Sequence, residues 1–87
     1  MNITILTAAM SYKEDAGYKG SVLFEAEGHN QPYEVTLVSK DGSMWDYSLT
    51  FGRESGPEEE ILVVEKALEE DDDLFDRLME AAENSLS

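Results

Sequence analysis

Three segments in the middle of the chain alternate apolar and polar positions with a period of two. Val22, Phe24 and Ala26 share one face of the first. Tyr33, Val35 and Leu37 share one face of the second, and Trp45, Tyr47, Leu49 and Phe51 one face of the third. This period, with β-branched and aromatic residues, marks half-buried strands. Residues 2–9 read as a further strand with Ile3 and Ile5 on one face. Residues 10–20, which hold Lys13, Glu14, Asp15, Gly17 and Gly20, read as a loop or irregular excursion.

The turns are chosen by asking which register keeps the apolar sets together, since a slip of one residue sends a whole set to the other face. A two-residue Asp41-Gly42 turn mixes core and solvent positions. A three-residue Lys40-Asp41-Gly42 loop pairs Leu37 with Trp45, Val35 with Tyr47 and Tyr33 with Leu49, with Gly42 left-handed as in a bulged hairpin. A tight His29-Asn30 turn pairs Phe24 with Val35 and Val22 with Leu37, and leaves Pro32 near a strand start, where it is tolerated. The opposite face then carries Leu23, Glu25, Glu27, Glu34, Thr36, Val38, Met44, Asp46 and Ser48. In this register Glu25 lies across from Glu34, a destabilising pair of like charges.

After Phe51 the period changes. Ser55 and Glu58 have the spacing of a capping box, and Pro57 suits a first helical turn. Ile61, Val64 and Leu68 form an inward stripe; Leu74, Phe75, Leu78, Met79, Ala82 and Leu86 form a second. Leu62 and Val63 fall outside the stripe, and the β-branched run from Ile61 to Val64 leaves a short fifth strand as the competing assignment. Between the stripes stand five acids, Glu69 to Asp73. Two helices, the second capped by an Asp, are favoured over one continuous helix, because adjacent carboxylates repel and Asp is a good cap. A continuous helix would keep a heptad phase at 61, 64, 68, 71, 75, 78 and 82, with Asp71 its polar member. The expected fold is α+β: an antiparallel three- to four-stranded β-meander followed by one or two C-terminal α-helices packed on one sheet face. A single domain would span 1–87, with 1–53 its sheet part and 54–87 its acidic helical part.

Charge changes this picture most. Residues 54–87 hold 13 acids and two bases, a local charge of −11, out of −14 for the chain. Six Lys and Arg residues in all argue against direct binding of nucleic acid or of an anionic membrane, and a basic protein surface is the natural complement. With 87 residues, 41% of them apolar, there is room for one small core. The absence of cysteine excludes a disulfide framework and a thiolate zinc site. Met1 to Met10 lacks a basic n-region and reads as a strand, not a leader, so a soluble cytoplasmic protein is expected.

The candidate partner-binding residues are Glu69, Glu70, Asp71, Asp72, Asp73, Asp76, Glu80 and Glu83. On a helix, Asp73, Asp76, Glu80 and Glu83 project from one side, as a one-signed row where a solubility face would mix signs. Leu62 or Val63 would add apolar anchoring. A secondary partner-binding set, Glu25, Glu34 and Asp46, surrounds apolar positions on the open sheet face. The bland alternatives are a solvated helix face and a sheet face covered by a loop or helix. No catalytic residue is assigned: the lone His29 falls at a turn without a nucleophile, and no phosphate-cradling glycine pattern occurs. No metal site is assigned either, because Asp71-Asp72-Asp73 lacks calcium-loop spacing. No cofactor is expected. Trp45, Tyr47 and Phe51 read as core, since no basic residues interleave with them.

The acids from Glu58-Glu59-Glu60 through Glu83, with Glu25, Glu34 and Asp46, lie on a short chain with an antiparallel sheet ahead of the helices. This arrangement resembles the small phage-encoded inhibitors of bacterial defence, the anti-CRISPR and anti-restriction proteins that mimic DNA. The likeness is one of size, charge and layout, with no shared motif. It implies a non-enzymatic protein that occupies a basic nucleic-acid channel of a partner protein, as a monomer or homodimer. The alternative is a small structural or adaptor domain that dimerises through its helices.

Overall fold

The computed structural model describes residues 1–86; Ser87, the last residue of the acidic stretch, lies outside the described residues. Four antiparallel strands, β1 (Ile3–Lys13), β2 (Gly17–Ala26), β3 (Tyr33–Ser39) and β4 (Asp46–Phe51), form one sheet in the order β1-β2-β3-β4. Two helices follow, α1 (Glu58–Glu70) and α2 (Asp72–Glu83). The fold is the expected α+β meander with its helices on one face. α2 lies across β1 and β2, and α1 lies on β4 and against α2. The core forms between them. Val22, Phe24, Tyr33, Val35 and Leu37 from the sheet meet Val64, Leu68, Leu74, Leu78 and Ala82 from the helices.

The stretch 10–20 is not an irregular excursion. It is the end of a long hairpin, in which Lys13 pairs with Gly17 and Tyr12 with Tyr18. Its turn is Glu14-Asp15-Ala16, with Ala16 N–H donating to Lys13 O at 3.1 Å and Gly17 at φ +84°. A three-residue loop closed by a left-handed glycine is the device expected for Lys40–Gly42, and here it serves the first hairpin. The strand hides from a period-two reading because its phase breaks. The register shifts between Ile5 and Thr7, which leaves Leu6 as a bulge. Ile3 and Ile5 therefore share the helix-covered face with Ala8, Met10 and Tyr12, three residues on instead of two.

Both later turns are longer than expected. Six residues, Glu27 to Pro32, join β2 and β3, and six, Lys40 to Trp45, join β3 and β4. Val22 consequently pairs with Val35 and Phe24 with Tyr33; Leu37 pairs with Tyr47, Val35 with Leu49 and Tyr33 with Phe51. Each register is displaced by two residues from the expected one, which leaves the core face unchanged. The displacement separates the two acids placed opposite each other. Glu25 pairs with Thr4 on β1, and Glu34 pairs with Leu23 and Thr50. Gly42 is left-handed as expected, at φ +85°. The loop around it is held by side chains. Ser39 Oγ accepts from Gly42 N–H at 2.8 Å, and Asp41 Oδ1 accepts from Ser43 N–H at 2.9 Å. That bond, followed by others to the Ser43 hydroxyl and the Met44 N–H, holds the Asp41 carboxyl below the usual carboxylate range.

The helix boundaries correct one expectation and confirm another. No capping box forms: Pro57 is the N-cap of α1, and no side chain caps it. Glu60 instead reaches out of the first turn to the β2–β3 connection. It accepts from Asn30 N–H at 2.9 Å and from Asn30 Nδ2 at 3.0 Å. The helical stretch does break among the acids, and Ile61 to Val64 lie within α1 and not in a strand. Asp71 ends α1 with an extended backbone and caps α2, its Oδ1 accepting from Leu74 N–H at 3.2 Å. The break removes the continuous heptad, and Val64, Leu68, Leu78 and Ala82 are buried in the chain's own core. Asp71→Ala should therefore cost about 1 kcal/mol of stability in urea unfolding. Ser55→Ala, at a position that caps nothing, should be neutral within error.

Candidate acidic interaction surface

α2 is amphipathic to the point that its solvent side is entirely charged. Leu74, Leu78, Met79 and Ala82 are buried, while Asp72, Asp73, Asp76, Arg77, Glu80 and Glu83 are exposed. At 1.5 Å per residue the five acids from Asp72 to Glu83 span about 17 Å, or one charge per about 4 Å of axis. A single strand of duplex DNA carries one per about 3.4 Å. Glu69 and Glu70, exposed at the end of α1, continue the charge across the junction. Asp71 is the exception in the expected set: it is half-buried, and its carboxylate is engaged as the cap.

The placement of these acids runs against helix electrostatics at two points. The C-terminal end of a helix carries partial negative charge and favours Lys, Arg or His. Neither helix has a basic residue in its last turn; α1 ends on Glu69 and Glu70, and α2 on Glu80 and Glu83. Along α2, Asp72, Asp76 and Glu80 also stand four residues apart, a spacing at which like charges repel. The Asp72 and Asp73 carboxylates, in the first turn, are favourably placed.

α1 brings its acids over β4. Burial first, and then the Glu69 and Glu65 carboxylates, hold the Tyr47 phenol above the usual tyrosine range. Tyr33 is raised in the same way, by burial and then by Glu60. The α1 face away from the core carries Glu58, Glu59, Leu62, Val63, Glu65, Lys66, Glu69 and Glu70, all exposed.

The secondary set does not gather. Glu25, Glu34 and Asp46 lie on the open sheet face, but on three different strands, among Thr4, Ser21, Thr36 and Ser48. A shallow trough of about 480 Å³ over Ala9, Ser11, Ser21 and Thr36 is bordered by Lys19 as well as Glu34. This face is therefore mixed in sign, and its small polar side chains are interrupted by Leu23 opposite Glu34 and by the exposed Val38 opposite Asp46. Glu27 lies beyond the end of β2 and accepts from Asn2 Nδ2 at 2.8 Å. His29 Nδ1 shares a 2.7 Å hydrogen bond with the buried Tyr33 hydroxyl, a structural role at the connection between β2 and β3. Among the described residues, no group of three His, Cys, Asp or Glu side chains is placed to hold a metal ion. No helix among them is long and apolar enough to cross a membrane.

One feature lies outside what periodicity could find. Tyr12, Tyr18 and Trp45 cluster at the far end of the hairpin, with ring centroids 4.7 and 5.8 Å apart. The Trp45 indole N–H donates to Gly42 O at 3.1 Å. Only the extension of β1 and β2 past residue 10 brings these rings together. Comparison of the chain with protein-family models, with curated proteins and with solved structures finds no match.

Proposed function

We propose that this chain is a non-enzymatic acidic binding protein that blocks a basic, nucleic-acid-binding surface of a partner protein, in the manner of the DNA-mimic inhibitors directed at CRISPR or restriction systems. The observation that carries the reading is the acidic end of both helices. A surface shaped for folding and solubility alone would place bases in the last turns and balance acids with bases along α2. Here five exposed acids stand against the single Arg77 along α2, and the fold tolerates like-charge repulsion and an opposed dipole to keep that excess. Asp73, Asp76, Glu80 and Glu83 supply the row, with Asp72, Glu69 and Glu70 extending it. Association would be fast and strongly salt-dependent, because opposite charge steers encounter. The reading places the protein in the cytoplasm, where nucleic-acid-handling partners work.

The test is competition. The chain is immobilised, exposed to bacterial lysate and washed with duplex DNA at moderate salt. A nucleic-acid-binding protein should be retained and then released by the DNA, and its own DNA binding should be inhibited by the free chain. A retained partner that DNA does not displace, and whose DNA binding is unaffected, would rule this reading out.

A further inference from the structure

We infer that the outer face of α1 around Leu62 and Val63 is an apolar contact patch that seats in an apolar recess of a basic protein surface; this rests on the reading above and gives its partner a second chemical property. The two helices offer an internal comparison. Both cover the same sheet, and the exposed positions of α2 are all charged. α1 places Leu62 and Val63 in solvent, each 53% exposed. Val63 does not serve the helix, because it is β-branched and lowers helix propensity; Leu62 is a good helix former, but Lys or Glu would form the helix as well without placing an apolar side chain in solvent. On the helix surface Leu62 neighbours Glu58, Glu59 and Glu65, and Val63 neighbours Glu59 and Glu60, three or four residues away, while Glu69 and Glu70 lie two turns further along. Lys66 lies between the two apolar side chains. An apolar centre within an acidic rim is the anatomy of a protein contact.

The charge of the rim selects the occupant. An uncharged apolar surface would strip water from these carboxylates without pairing them. A second copy of this chain would set acid against acid at a net charge of −14 apiece. A surface that carries cations around an apolar recess satisfies both parts of the patch.

Two short synthetic helical peptides of equal positive charge provide the probe. One carries leucines along a helical stripe, and the other carries glutamine at the same places. At about 0.1 M salt, where exposed charges are partly screened, the chain should bind the leucine peptide about tenfold more tightly than the glutamine peptide. Leu62→Ser/Val63→Ser should erase that preference and leave binding of the glutamine peptide unchanged. Its melting curve should stay near that of the parent, because both side chains lie outside the core. Met44→Ser, at another exposed apolar residue (82% exposed), should keep the preference. Equal binding of the two peptides by the parent chain, or a preference that survives Leu62→Ser/Val63→Ser, would overturn the inference and leave the acidic reading standing. If the chain bound neither peptide, both would fall.

Discussion

Glu80→Lys/Glu83→Lys is expected to make the fold more stable and the protein a weaker binder. The last turn of α2 has no basic residue, and its terminal carbonyls already carry partial negative charge. Placing lysines there reverses two unfavourable dipole interactions; the oppositely charged neighbour that Asp76 gains four residues on is offset by the acidic one that Arg77 loses at Glu80. At about 0.3–1 kcal/mol per position, the pair should add about 1 kcal/mol of stability. For a domain of this size the melting temperature should rise by about 5 °C. Binding should move the other way. If the helical acids meet a basic surface, the same substitutions place two like charges against it, and affinity for the partner should fall about tenfold or more at physiological salt, with a shallower salt dependence. A matched variant separates place from net charge. Glu25→Lys/Glu34→Lys on the open sheet face leaves the chain with the same net charge of −10, since each variant exchanges two acids for two lysines in a chain of −14. Loss confined to the α2 variant assigns the contact to the helices. Loss confined to the sheet variant moves it to the open face. Equal loss in both would mean that total charge governs, and a row of carboxylates would have no special part. A fall in melting temperature for the α2 variant would remove the electrostatic argument on which the proposed function rests.

What was legible in the sequence depended on whether the signal was periodic. The alternation through β2, β3 and β4 identified the core face correctly, and the five acids marked the break between helices, down to an Asp as the cap. Register was less accessible for a definite reason. A displacement of two residues keeps every side chain on its own face, so patterning excludes odd slips and cannot choose between even ones. The choice was made by the Ser39 and Asp41 side chains, which organise a six-residue loop where a three-residue one would have matched the pattern equally well. The first hairpin escapes a period-two pattern because the Leu6 bulge changes the phase of β1, and because Lys13, Glu14, Asp15 and Gly17 have loop composition although only Glu14 to Ala16 are turn. The capping box had the right spacing and the wrong surroundings: Glu60 and Asn30 hold the start of α1 to the sheet from the side. Of the candidate surface, the exposed row on α2 was visible from helical spacing, and so was the misfit of Leu62 and Val63. The placement of Glu25, Glu34 and Asp46 on three strands was visible too, and only the register shows that Glu25 and Glu34 do not face each other.

Gly17→Ala should be among the most damaging single-methyl changes available to this chain, and Gly28→Ala should show why. Both glycines are left-handed, at φ +84° and +82°, so an alanine at either pays the same backbone penalty, about 1–2 kcal/mol. Their surroundings differ. A Cβ at Gly28 would meet nothing within 4 Å. A Cβ at Gly17 would strike the Ser39 carbonyl oxygen and lie 2.7 Å from Lys40 Cα and 2.8 Å from Lys40 O, all of them backbone atoms that no rotamer change can move. The first hairpin turn is packed directly on the start of the β3–β4 loop, and the glycine is what lets the two connections touch. Gly28→Ala should therefore cost about 1 kcal/mol. Gly17→Ala should cost about 3 kcal/mol or more, in the range of overpacked cores, and lower the melting temperature by about 15 °C. Trp45, the single tryptophan, supplies a local readout. Its ring packs on Tyr18, the residue after Gly17, so its emission should shift in Gly17→Ala at temperatures where the helices remain folded by circular dichroism. Equal destabilisation by the two substitutions would mean that the contact of Gly17 with Ser39 and Lys40 contributes nothing beyond the turn. An unchanged Trp45 signal would mean that the hairpin end is not coupled to the β3–β4 loop in solution.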